Sequence, residues 1–363
     1  MQFDQPNGML LPMSQAATAT PKETRPTPIS RAEKRRRAQA DTRPRVTLSF
    51  YRYVRIADPV AFQERLQAAW SEFDCMGRIY VASEGINAQM NVPKQQFEAF
   101  DTWTQSQPEL AGVPYKIAVE EGEELSFYKL AVKVKDKIVA DGLNDDSFDV
   151  TNTGEYLTAA EINQYVDDPD AVIVDMRNSY ESEVGHFEGA ITPNVETFRD
   201  ELKVTPQTLK IHKNKKIALY CTGGIRCEKA SAWLKHNGYE NVKHLKGGII
   251  DYAHQVEQQG LPNKFKGKNF VFDERLSEAV GDEIIATCHL CHQTKSDTHY
   301  HCPNQICFTL FIGCDDCIQK KSGYCSRKCQ VVDKLPVKQK KLLARFYNQR
   351  IRPLRTFKKT RLR

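Results

Sequence analysis

Residues 220–229 read YCTGGIRCEK. They follow KKIALY (215–220), a short apolar run of the buried-strand type, and lead into CEKASAWLKHNGY (227–239). In that second stretch Ala230, Trp233 and Leu234 fall at helical spacing and Gly238 supplies a stop. A strand, a glycine turn and a helix in that order predict an α/β unit. They place Cys221 at the carboxyl end of a strand and at a helix N-terminus, where open α/β sheets build their sites. The turn is Thr222, Gly223, Gly224, Ile225 and Arg226, with Cys227 opening the helix. Amides of such a turn converge on the Cys221 sulfur, and the helix dipole adds partial positive charge. Both favour the thiolate, the nucleophilic form. Arg226 supplies a planar cation beside the cradle for an anion or an outer sulfur. Cys227 reads either as a resolving thiol or as a helix residue packed under the loop. The Cys-x4-Arg spacing is one residue shorter than the Cys-x5-Arg ring of phosphate-handling loops, which suits a persulfide.

The flanks continue the pattern. AVIVDMR (171–177) is an apolar run ending in Asp175 and Arg177, read as a structural pair at a parallel strand's end. NVKHLKGGI (241–249) is a further strand and glycine turn. His186, in GHFEGA, reads as a locally hydrogen-bonded packing residue. The α/β domain is drawn at 167–262. Upstream, VTLSFYRYV (46–54), DPVAFQERLQAAWSEF (58–73), GRIYVA (77–82), INAQMNV (86–92), PKQQFEAFDTWTQS (93–106) and YKIAVE (115–120) follow one another. That order, strand–helix–strand–strand–helix–strand, is a ferredoxin-like split βαβ pattern, with LAVKVKDKIV (130–139) as another strand, giving a domain over 46–142. The polar, turn-rich LNDDSFDVTNTGEY (143–156) suggests a linker, drawn over 143–166, with a capped helix in LTAAEINQYVDD (157–168). The fold class expected is therefore α+β and α/β.

Composition sets the wider frame. The chain has 363 residues, 40% hydrophobic and 27% charged, enough for two or three domains. No apolar run approaches the ~20 residues of a membrane helix, and the first twenty residues lack a signal-peptide pattern. A cytoplasmic protein with no membrane partner is expected. The net charge of +6 is uneven: residues 1–45 hold 9 Lys/Arg against 4 Asp/Glu, and residues 331–363 hold 12 against 1. Residues 1–45 read as a disordered basic arm, with RAEKRRR (31–37) as a short helix lacking an apolar face. Residues 331–363 read as a basic tail with Phe346, Tyr347 and Phe357 interleaved, suited to phosphates and bases. An acidic body with basic ends points to nucleic acid.

Eight of the eleven cysteines lie at 288, 291, 302, 307, 314, 317, 325 and 329. In a reducing compartment such a cluster points to metal before disulfides. Cys288, Cys291, Cys302, Cys307, Cys314, Cys317, Cys325 and Cys329 are enough thiolates for two tetrahedral zinc sites. Interleaved pairing joins the two Cys-x2-Cys knuckles in one site and the two looser pairs in the other; sequential pairing is the alternative. The module is drawn at 263–330. Cys75 reads as an inert buried thiol.

VDMRNSYESEVGHFEGA (174–190) and the stretch from Tyr220 to Ile249 resemble the opening and the active loop of a rhodanese domain. With FYRYVRIADP, VASEGINAQMNVP, KVKDKIVADG, GKNFVFDER (267–275) and the cysteine-rich end, the chain over about 46–330 resembles the bacterial rhodanese-domain tRNA uridine 5-hydroxylases. The resemblance implies oxygen-dependent 5-hydroxylation of the wobble uridine (position 34) of tRNA, with Cys221 as the catalytic, persulfide-forming cysteine. It implies tRNA as partner, not DNA, and molecular oxygen with an electron donor as co-substrates. The residues alone hold no two-His-one-carboxylate triad for iron and no dinucleotide fingerprint. The loop chemistry by itself fits sulfur transfer to an acceptor, and a non-catalytic RNA-binding adaptor is the third reading.

Overall fold

The computed structural model describes residues 31–119, 125–145, 147–304, 306–340 and 342–343. The expected disorder of residues 1–30 and the aromatic and basic end of the tail fall outside them. Residues 31–45, placed in a disordered arm by composition, are instead ordered. Helix α1 (Arg31–Gln39) buries Ala38, and strand β1 (Arg45–Tyr53) starts directly after it. Composition missed this because the segment is held by polar contacts: Arg45 Nε donates to Asn91 Oδ1 at 2.6 Å, and Lys94 N–H donates to the Pro44 carbonyl at 2.8 Å.

The first domain continues with α2 (Pro59–Glu72), β2 (Met76–Ala82), β3 (Gly85–Pro93), α3 (Phe97–Ser106), β4 (Lys116–Ile117) and β5 (Leu130–Val134). The sheet order is β4-β1-β3-β2-β5, antiparallel except that β5 runs parallel to β2. Asp58 caps α2 by accepting from the amides of Val60 and Ala61. Phe62, Leu66 and Trp70, four residues apart, are buried against Leu48, Phe50, Ile79, Val81, Ala88 and Met90 on one sheet face. Alternation therefore sends Thr47, Ser49, Tyr51, Arg78, Tyr80, Asn87 and Gln89 to the opposite face. That face is polar and aromatic.

The second domain has β6 (Glu155–Leu157), α4 (Ala159–Asp167), β7 (Ala171–Asp175), α5 (Ser179–Ser182), β8 (Gly185–Phe187), α6 (Phe198–Thr208), β9 (Lys216–Tyr220), α7 (Ile225–His236), β10 (Val242–Leu245) and α8 (Gly248–Gln259). Four strands form a parallel sheet in the order β6-β10-β9-β7. On β9, Ile217 and Leu219 enter one core while Ala218 and Tyr220 enter the other, so both faces are covered. The linker drawn over 143–166 is too long. Its last residues form β6 and α4, and β6 pairs with β10 through Lys243–Glu155 to Leu245–Leu157. Polar composition concealed β6 because it is an edge strand with Glu155 and Tyr156 exposed.

The last segment holds β11 (Phe265–Phe270), β12 (Ser277–Ala279), β13 (His299–His301), β14 (Leu310–Ile312), α9 (Asp315–Lys320) and α10 (Arg327–Asp333). It is not a detached module. β8 of the α/β domain pairs with β11 in the sheet β12-β11-β8, and Phe265 packs with Phe187 and Tyr252 in the α/β core.

Candidate active site and metal centres

The turn after β9 forms the cradle that its glycines allow. Gly224 takes φ +93° as it opens α7, and its amide donates to Cys221 Sγ at 3.1 Å. Opposite, the first turn of α8 grips the loop from its carbonyl side. Ile249 and Ile250 N–H donate to the Cys221 and Thr222 carbonyls at 3.0 and 3.2 Å. Gly248, at φ +69°, leaves room for this; a Cβ there would lie 2.4 Å from the Cys221 oxygen.

Cys221 is fully buried. Burial alone pushes a thiol up. The opposing effects prevail: the Cys227 thiol, the Arg226 charge and the amides of Arg226 and Cys227 bring Cys221 down to about 6. Cys227, also fully buried, moves the other way, first from burial and then because its hydrogen bonds to Cys221 at the cost of its own ionisation. The two thiols thus divide the roles: Cys221 carries the charge and Cys227 keeps the proton.

Arg226 is not free above the sulfur. Its Nη1 and Nη2 reach Glu181 Oε1 and Oε2 at 2.7 and 2.8 Å, and Nη2 also donates to Thr222 Oγ1 at 3.2 Å. Glu181 further accepts from the Asn178 amide at 3.0 Å. A bidentate pair of this kind fixes the guanidinium in plane. Asp175 and Arg177 form a separate, wholly buried pair at 2.6 Å, the structural role expected. His186 Nδ1 lies 2.9 Å from the Ser182 carbonyl, a local contact. Ile225 and Gly223 line the same cavity as Cys221.

That cavity, about 400 Å³, lies between the cradle, the polar face of the first domain's sheet and the turn after β11. From the first domain it takes Tyr51, Asn87, Gln89 and Lys116; from the last segment it takes Phe272 and Arg275. Tyr51 Oη–H donates to Glu228 Oε1 at 2.9 Å, which ties β1 to α7. Lys229 Nζ donates to both oxygens of Glu84 at 3.0 Å and to Asp141 at 2.6 Å. Sequence reasoning missed Glu181, Tyr51 and Lys116, since each reaches the loop only through the tertiary fold. The one available signal was the polar and aromatic alternation Thr47, Ser49, Tyr51 along a strand whose other side is apolar.

The eight C-terminal cysteines fall into two groups, Cys288, Cys291, Cys314 and Cys317, and Cys302, Cys307, Cys325 and Cys329, each with its sulfurs within 4.8 Å of one another. This is the interleaved grouping. Cys307 and Cys325 sulfurs stand 3.6 Å apart, and those of Cys325 and Cys329 3.5 Å. Ligands about 2.3 Å from a tetrahedral ion lie about 3.8 Å from each other, whereas a disulfide needs about 2.05 Å. Both groups are thus arranged to hold a metal ion. Among the described residues no helix is long and apolar enough to cross a membrane.

Comparison with known proteins extends over most of the chain. Residues 45–138 match the UPF0176 acylphosphatase like domain, 158–255 the rhodanese-like domain and 266–330 the rhodanase C-terminal family. A tRNA uridine(34) hydroxylase of Leptospira interrogans is 51% identical over 307 residues, covering 85% of this chain and 83% of that one. Those of Salmonella typhi and Cronobacter sakazakii are each 50% identical, over 302 and 309 residues, covering 83% and 85% of this chain and 86% and 88% of theirs. With the acylphosphatase-like, rhodanese and cysteine-rich parts present in the same order, this chain belongs to the tRNA uridine(34) hydroxylase family.

Proposed function

We infer that this chain hydroxylates C5 of the wobble uridine of tRNA and that Cys221 is the residue on which the reaction depends. The observation that carries the assignment to Cys221 is the cradle: a thiol held at about 6 at the floor of a cavity of nucleoside size. A wobble base presented in an anticodon loop can be swung out of its stack into such a cavity. There the thiolate faces the pyrimidine ring, Cys227 holds a proton beside it, and Glu181 keeps Arg226 in place. Inserting one oxygen atom of dioxygen into a C–H bond takes two electrons from the substrate. Two more electrons and two protons, from a reductant, release the second atom as water.

The two cysteine groups would each hold one zinc ion, supplying cross-links to a short segment that lacks a large core. We place the reaction in the cytoplasm, with the basic tail, +11 over residues 331–363, contacting tRNA phosphates. A poised thiolate speaks against a merely adaptor role, although the same cradle would also suit a persulfide.

The test is the nucleoside content of tRNA from cells lacking the protein and complemented with variants. Cys221→Ser should lower 5-hydroxyuridine formation by at least about 10³-fold, and Cys227→Ser should leave a partial rate. Normal 5-hydroxyuridine with Cys221→Ser would refute the assignment. Loss of a thiolated nucleoside in its place would point to sulfur transfer.

A further inference from the structure

The cavity contains a cation that the cradle does not explain. Lys116 sits on the two-residue strand β4, paired with Ser49 of β1. It is only 6% exposed. Its Nζ stands 4.6 Å from the centroid of the Tyr51 ring. Its stem passes the cradle, since a Cβ on Gly223 would lie 3.8 Å from Lys116 Cδ. Among the described residues the ammonium makes neither a hydrogen bond nor an ion pair. The charges of Asp251, Cys221 and Glu228 act on it from greater range, and burial lowers its pKa. Two neighbouring cations are committed, Arg226 to Glu181 and Arg275 to Asp273 and Glu278, while Arg78, on the exposed side of the cavity, is the other cation lining it.

The aliphatic stem of Lys116 is buried while its ammonium faces the cavity, so a ligand entering there meets an uncommitted donor. The ligand must reach the cavity beside Cys221 and bring an acceptor, formally neutral or charged. A phosphate would more naturally meet a fork of arginines. A single ammonium matches a single oxygen, and the Tyr51 ring occupies one side of it.

We propose that Lys116 is a substrate-contacting residue that donates to the C4 carbonyl oxygen of the uracil ring held above Cys221 and stabilises the negative charge that gathers there when the Cys221 thiolate bonds to C6 and the C5–C6 π pair shifts onto that oxygen. The proposal rests on the reading of the Cys221 cavity as the hydroxylation site. The resulting enolate makes C5 the nucleophile toward the incoming oxygen atom, and loss of the C5 proton then expels the Cys221 thiolate from C6 and restores the C5–C6 double bond. A fixed cation beside the C4 oxygen favours the charged state over the neutral ground state.

The experiment compares the full-length protein with Lys116→Met, Lys116→Gln and Cys221→Ser on unmodified tRNA. Three quantities are read: melting temperature, tRNA affinity and single-turnover 5-hydroxylation at saturating tRNA. Lys116→Met removes the charge in favour of an apolar chain of similar length. It should melt no lower than the parent, bind tRNA equally and react about 10²-fold more slowly. Lys116→Gln, a donor without charge, should fall between and provides the same reading if the methionine variant folds poorly. A full rate in either lysine variant while Cys221→Ser is inactive would overturn the proposal but leave the cavity reading intact. Full rates in all three would overturn both. Weakened tRNA binding with an unchanged saturated rate would make Lys116 a phosphate contact and also overturn it.

Discussion

The chemistry at Cys221 turns on which of two buried thiols loses its proton. Burial opposes ionisation of both. Arg226 acts on both, but Cys221 alone receives the Gly224 amide and the hydrogen bond from the Cys227 thiol, and it holds the charge. Its thiolate fraction should therefore rise with pH through about 6 and level off above about 7. The rate of Cys221 alkylation by iodoacetamide, followed by peptide mass analysis across pH, reads this directly. Cys227→Ala removes the thiol donor, so the midpoint should move upward, toward the ordinary thiol range. An unmoved midpoint would mean that the amides and Arg226 alone hold the charge. This much of the site was legible in the sequence because a strand–turn–helix is local: glycines, helix start and cysteines lie within ten consecutive residues. Glu181 was not legible. Its partnership with Arg226 is set by how α5 packs beside the cradle, which no spacing in the chain encodes.

At the scale of elements, the cradle is made by two helix N-termini rather than one. α7 directs amides at the sulfur, and α8 directs its first amides at the carbonyls behind it. The glycine pair opening α8 makes the close approach possible. Gly248→Ala would put a Cβ 2.4 Å from the Cys221 oxygen and 2.7 Å from that of Thr222, at φ +69°. The backbone conformation alone costs about 1–3 kcal/mol, and the overlap forces α8 outward. The variant should melt several degrees lower, by about 2–4 °C per kcal/mol, and its Cys221 midpoint should rise as the loop relaxes. A normal melt with a normal midpoint would show that the loop tolerates the shift. KGGI reads from sequence as a strand end and glycine turn, yet its contact with the Cys221 loop comes from the parallel order of β9 and β10. β6 and β8 were missed for a related reason. Each is three residues long, and each is defined by its pairing rather than by its own apolar pattern.

At the scale of the whole molecule, each part closes a different wall of one cavity. The first domain lends the polar face of its sheet, the α/β domain the cradle, and the last segment the turn bearing Phe272 and Arg275. The three parts were legible as kinds because each has its own periodicity, whereas their boundaries and the sharing of one cavity depend on pairings and docking contacts such as β6–β10, Tyr51–Glu228 and Lys229–Glu84. The cysteine groups belong to this arrangement. His289, next to Cys288, places Nε2 3.0 Å from Glu183 Oε1 just past α5, the short helix that carries Glu181. His289 N–H and Nδ1 also meet the Ile312 backbone between the two knuckles. Losing the ions should therefore loosen α5 as well as the cysteine-rich segment. Purified protein should contain two zinc ions per chain by elemental analysis. Stripping them with a thiol-reactive mercurial and a chelator would also block Cys221, so the cleaner comparison is Cys314→Ser with Cys317→Ser. That double variant should retain one ion, melt lower, and show a raised Cys221 midpoint as Glu181 and Arg226 lose their fixed geometry. Two ions retained would break the assignment of those ligands. One ion retained with an unchanged midpoint would confine the metal to its own segment, since the contacts from the knuckle through His289, Glu183 and α5 would then carry no effect to the thiolate.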